Sequence, residues 1–157
     1  MSLVSNLVCS FVGTIAFSIV FNVPKKYYPW CGFTGMLGWF IFLMLENHFS
    51  ATAGTFAASI TVVLMARIFA VWQKCPITLF LVPGIFPLIP GAGVYNTAYY
   101  LVTEQLQEAA YKGIESIKIA FAIVLGIVFI FSIPREVFII SGKLIKSKKK
   151  ENNNDEN

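Results

Sequence analysis

From Leu3 to Phe21 nineteen consecutive residues pass without a charged side chain. Coiled at about 1.5 Å per residue, such a run is long enough to cross a hydrocarbon core of roughly 30 Å. The composition agrees: 57% of the 157 residues are hydrophobic, 13% are charged, and the mean hydropathy is +0.72. A soluble domain carries far more charge. The chain therefore reads as an all-α integral membrane protein.

A secretory signal is the competing reading of the first run. It lacks a basic n-region and an A-x-A-like cleavage site, and more apolar segments follow, so a retained helix is expected. Spans are expected near residues 3–21, 30–45, 49–72, 77–102 and 119–133, about five transmembrane helices in all. They form a transmembrane domain over 1–146, followed by a disordered cytoplasmic tail over 147–157.

Lys and Arg in short loops favour the cytoplasmic side. With five spans and the amino terminus outside, Lys25, Lys26, Arg67, Lys74, Arg135, Lys143, Lys146, Lys148, Lys149 and Lys150 lie at inner ends, and Lys112 and Lys118 lie outside. If 77–102 were instead a re-entrant hairpin, the ten to two split would become six to six. Five full crossings with a cytoplasmic carboxyl terminus are expected. The terminal KSKKKENNNDEN has too few apolar residues to fold by itself, and its lysines suit the anionic inner leaflet of a lipid bilayer.

Cys9, Cys31 and Cys75 are an odd number spread over three segments, with no C-x-x-C and no His at ligand spacing. Neither a disulfide framework nor a metal site is expected, nor any cofactor or nucleic-acid partner. Between spans, Thr103 to Lys118 has a helical surface pattern: Glu104, Glu108 and Lys112 recur every fourth position beside Leu106, Ala109, Ala110 and Ile114. It reads as an interfacial helix. Gly32, Gly35 and Gly38, and the pair Gly54 and Ala58, read as close-packing positions between membrane helices.

Residues 83 to 91, PGIFPLIPG, set three prolines and two glycines inside the fourth expected span. Each proline lacks a backbone N–H and clashes with the carbonyl four residues earlier, so continuous helix is not expected. Irregular backbone at membrane depth survives where protein buries it or water lines it, which is how transport sites are built. A second half-helix starting at Gly91 to Val94 would point free N–H groups and a positive dipole end at a carboxylate. Pro83, Gly84, Pro87, Pro90, Gly91, Gly93, Tyr95, Asn96 and Thr97 are the candidate pathway residues. A proline-kinked packing helix capped by Asn96 fits the same residues.

The run PITLFLVPGIFPLIPGAGVYNTAYYL, Pro76 to Leu101, closely resembles the signature of the small subunit of the two-component threonine/serine exporter family. The family motif falls on Pro76, Pro83, Gly84, Pro87, Pro90, Gly91 and Tyr95. The resemblance implies a bacterial cytoplasmic membrane protein that works with a larger membrane subunit. It implies export of small carboxylate-bearing metabolites, threonine and serine in some members and succinate in others.

Outside that run, Arg67 near the inner end of the third span reads as a snorkelling cation or as an ion-pair partner. Glu46 and His48 at the outer end of the second read as solvated interface groups or as ion-coupling groups. With one His, no H-E-x-x-H, no G-x-S-x-G and no P-loop, an enzyme lacks its usual parts. A non-transporting accessory subunit that stabilises its membrane partner is the alternative the sequence leaves open. The charge split makes a direct prediction: cysteines engineered at positions 25 and 150 should react only from the cytoplasmic side, and those at 47 and 108 only from outside. Position 108 reacting from the same side as 150 would rule out five crossings.

Overall fold

The computed structural model describes residues 3–46 and 49–133. His48 and the 147–157 tail lie outside the described residues. The described residues form six α-helices: α1 Leu3–Val20, α2 Tyr28–Glu46, α3 Ala51–Gln73, α4 Thr78–Ile85, α5 Gly91–Val102 and α6 Leu106–Phe131. Short 3₁₀ turns cover Lys25–Tyr27 and Phe86–Leu88. Among the described residues four helices are long and apolar enough to cross a membrane, and α4 with α5, bent by 46°, supplies a fifth if the pair is one span.

Local chemistry sets the helix ends. The Ser50 hydroxyl accepts from the Ala53 N–H at 3.3 Å and opens α3. Lys74, at φ 53°, closes α3 in the left-handed conformation with Pro76 two residues beyond. Asn22 and Glu104 adopt the same left-handed conformation in the turns after α1 and α5.

Packing inverts the arrangement of a soluble bundle. The buried residues of α1 are Ser10, Thr14 and Ser18, while Val4, Val8, Val12, Ile19 and Val20 face outward. In lipid, apolar side chains gain nothing by hiding from their surroundings, so small side chains that let backbones approach occupy the contacts. The three hydroxyls bond to backbone carbonyls: Ser10 to Gly35 at 3.2 Å, Thr14 to Ser10 at 2.7 Å and Ser18 to Thr14 at 2.8 Å. Gly35 packs directly on Thr14, Gly38 on Val62 and Gly126 on Ser59, each without room for a Cβ. Gly54 lies against the Phe42 carbonyl and the Glu46 amide. The glycines singled out in the sequence do pack helices together.

Two contacts fix the path of the chain. Ser59 meets Gly126, and eight residues further along α3 the Arg67 guanidinium donates to the Ile133 carbonyl at 2.7 Å and the Phe131 carbonyl at 3.4 Å. Both helices advance together, so α3 and α6 run parallel. The intervening α4 and α5 must carry the chain back from the Lys74 end to the Ser50 end. A re-entrant hairpin would have returned it to the Lys74 end and made α6 antiparallel to α3.

The stretch expected as a separate interfacial helix, Thr103 to Lys118, differs from expectation. From Leu106 onward it is the first half of α6, continuous into the apolar run, because no breaker interrupts it. It pairs antiparallel with α5, Gly93 on Ser116 and Gly113 on Thr97. Lys112 pairs with Glu115 at 3.0 Å, not with Glu108.

The close approaches yield a stability prediction. Gly35→Ala drives a methyl into Thr14 and should cost about 1–3 kcal/mol. Gly91→Ala, where nothing lies within 4 Å of the added atom, should change stability by less than about 0.5 kcal/mol. Thermal unfolding of the detergent-solubilised protein, followed by far-UV circular dichroism, compares the two.

Candidate functional site

The proline break begins inside α4. Pro83 has no N–H to give the Leu79 carbonyl four residues earlier. That acceptor is instead met by the Cys31 thiol of α2 at 3.3 Å, and Cys31 is fully buried. Gly84 lies next, 3.0 Å in prospective Cβ distance from Thr34 and 3.1 Å from Val62, the midpoint of α3. The proline-bearing turn is thus seated at mid-height in the bundle.

Beyond Ile85 the helix tightens to 3₁₀ over Phe86–Leu88, and Ile89, preceding Pro90, turns extended at φ −64°, ψ 131°. Leu88 is buried against Ala58, Val62 and Ile123. The Phe86 ring stacks on Phe17 at 4.1 Å and approaches Phe21 at 5.2 Å. Pro87 faces α1 and α2 across an open-sided cleft of about 270 Å³, lined also by Asn6, Cys9, Ser10, Gly13, Phe17 and Trp39.

The start of α5 shows which donors remain open. The Gly91 N–H bonds to the Ile89 carbonyl at 2.7 Å and the Val94 N–H to the Pro90 carbonyl at 3.0 Å. Of the four N–H groups from Gly91 to Val94, those of Ala92 and Gly93 have no acceptor among the described residues. Gly91 and Ala92 are exposed, and α5 contains no buried residue.

The nine candidate pathway residues divide accordingly. Pro83 and Gly84 are buried in the bundle, and Pro87 walls the cleft. Pro90 and Gly91 form the mouth of α5. Gly93 and Thr97 face α6, and the Thr97 hydroxyl is turned back to the Gly93 carbonyl at 2.8 Å. Tyr95 is 70% exposed, and Asn96 is half-buried with no hydrogen bond among the described residues. Arg67, 7% exposed, holds the end of α6 through two carbonyls and the Phe131 ring at 5.0 Å, which suits a cation at a helix carboxyl terminus. Glu46 is exposed at the end of α2.

Known sequences now bear on this geometry. The sequence model of a family described as threonine/serine exporter, ThrE, matches residues 6–143, most of the chain and the whole of the break. The chain belongs to the threonine/serine exporter family. No solved structure matches it. The family is one of transporters, so the exporter's proline break stands within a multi-pass membrane protein that moves solute.

Two features of this exporter chain escaped sequence reasoning. Asn6, Ser10, Thr14 and Ser18 recur every fourth position, a polar stripe on an otherwise apolar helix whose spacing was legible. The role of Cys31 was not, since its partner lies 48 residues away. Cys31→Ala leaves the Leu79 carbonyl buried and unpaired and should destabilise the exporter by about 1–3 kcal/mol. Cys31→Ser, which keeps a donor, should retain most of the stability. Denaturant unfolding in detergent distinguishes them.

Proposed function

We propose that this chain is the small membrane subunit of a secondary exporter in the bacterial inner membrane. It works with a larger membrane subunit and moves small carboxylate-bearing metabolites, threonine and serine or a dicarboxylate such as succinate. Its amino terminus lies outside and its carboxyl-terminal tail in the cytoplasm, following the charge distribution.

The observation that carries this reading is the first turn of α5. The Ala92 and Gly93 N–H groups have no acceptor among the described residues, and they sit where a helix dipole places roughly half a positive charge. A carboxylate offers such donors charge-assisted hydrogen bonds. Tyr95 and Asn96 lie on the same turn and add a hydroxyl and an amide. The principal neighbour of α5 is α6, so a face of this half-helix remains for another membrane half. A site completed between two halves is the common transporter design.

The test is reconstitution of this chain, its partner, or both into liposomes, with labelled amino acid and dicarboxylate efflux followed. Full-rate flux should need both chains, and full-rate flux from this chain alone would overturn the pairing. Pro87→Ala with Pro90→Ala should insert normally yet lose transport, because removing the breakers favours continuous helix by up to about 3 kcal/mol per proline. Asn96→Ala or Tyr95→Phe should weaken substrate binding by up to about tenfold each. Wild-type export by the double proline variant would sink the half-helix mechanism.

A further inference from the structure

No residue of α5 lines the cleft beside Pro87, and of its side chains Pro87 alone has been given a task beyond packing. Its floor is the face of α1 that carries Asn6, Ser10, Cys9, Gly13 and Phe17, its far side is Trp39, and its third wall is Pro87 of the 3₁₀ turn. Most of the lining is apolar. Two polar side chains interrupt it, Asn6 and Ser10, one helical turn apart on the same face.

Their bonding states differ. Ser10 is 8% exposed and donates to the Gly35 carbonyl, which leaves its oxygen free to accept. Asn6 is half-buried, and its carboxamide has no hydrogen bond among the described residues. In a hydrocarbon surrounding an unbonded amide costs several kcal/mol, and an acyl chain offers it nothing. The occupant that answers both groups is polar. At about 270 Å³ the space suits a small metabolite, and an apolar recess with a few placed polar groups is the usual form of such a site. Among the described residues no cation lines it, so the carboxylate of a solute finds no partner inside and stays at the open side of the cleft. The groups present match a hydroxyl, with Asn6 able to donate and accept and Ser10 able to accept.

We propose that this cleft is a water-filled recess of the transport path in which Asn6 and Ser10 recognise the hydroxyl of a small hydroxyl-bearing solute. The proposal rests on the export reading above for its place in transport. Asn6 and Ser10 are then specificity-determining residues that favour serine and threonine over solutes lacking a hydroxyl.

The cleft carries its own reporter, because Cys9 lines it and is exposed, whereas Cys31 is buried. Burial also pushes the Cys75 thiol above its ordinary range, and Cys75→Ser removes it from the assay. The Cys75→Ser chain is placed in liposomes without any gradient, and Cys9 is labelled with a charged, membrane-impermeant thiol reagent present on both faces. The Cys9→Ser, Cys75→Ser chain gives the background. Cys9 should label, and L-serine at twice its dissociation constant should slow labelling about threefold, while L-alanine at the same concentration should not. With each labelling rate compared to that of the same variant without solute, Asn6→Leu should raise the serine concentration needed for protection by about two- to tenfold. Asn6→Gln, which keeps the amide, should retain protection. Labelling by an apolar maleimide but not by the charged reagent would mean that lipid or another helix fills the cleft, and would overturn the proposal. Equal protection by serine and alanine, or none by either, would overturn it as well. Labelling is read at equilibrium without flux, so failure here is distinguishable from failure of export.

Discussion

A carbonyl that has lost its donor is the constraint around which this bundle is arranged. Pro83 withdraws the N–H that Leu79 would have received, at a buried position in the bundle. The Cys31 thiol replaces it, and that single contact requires α2 and α4 to lie close and in one register. The rest of the seat follows: Gly84 closes on Thr34 and Val62, and Phe80 packs among Tyr27, Phe69 and Cys31. A thiol is a weak donor, but it is small and tolerates apolar neighbours. The backbone irregularity is thereby supported on one side by α2 and bordered on the other by an open-sided cleft.

The same economy of space governs the remaining contacts. Where soluble helices bury leucines, α1 buries hydroxyls, and each hydroxyl is bonded to a carbonyl within reach. Gly35 on α2 receives Thr14 of α1, and Gly126 on α6 receives Ser59 of α3. Hydroxyls that serve their own helix cost little in lipid, and they leave a polar face wherever a neighbour withdraws. Such a withdrawal occurs at the cleft, where Asn6 and Ser10 meet Pro87 instead of a covering helix.

Much of this was legible in the residues. Uncharged runs between charged ends announced the long helices, and PGIFPLIPG announced the broken one, because proline geometry is local. The glycines at 35, 38 and 54 announced close packing. What the sequence did not disclose depended on distance along the chain. The union of Thr103–Lys118 with the last span reflects a helix that nothing interrupts, and an amphipathic surface pattern cannot by itself say whether a helix lies flat or continues. Arg67 was legible as a charge near an end but not as the clasp of α6, since its acceptors lie 64 and 66 residues away. At the candidate site, four open N–H groups were expected and two are open, because the Gly91 N–H turns back to the Ile89 carbonyl and the Val94 N–H makes the first helical bond, to the Pro90 carbonyl.

The continuity of α6 has a mechanical consequence. Its 26 residues make a rod of about 39 Å, gripped by α5 along its first half and by α3 along its second. Arg67 pins the far end. Whatever shifts α5, the principal load is borne by this rod, and a rod fixed at one end converts a push near the other into a tilt. A displacement of the α5 end of the rod would therefore reach the Arg67 end as a change of tilt, with no change of length inside α6.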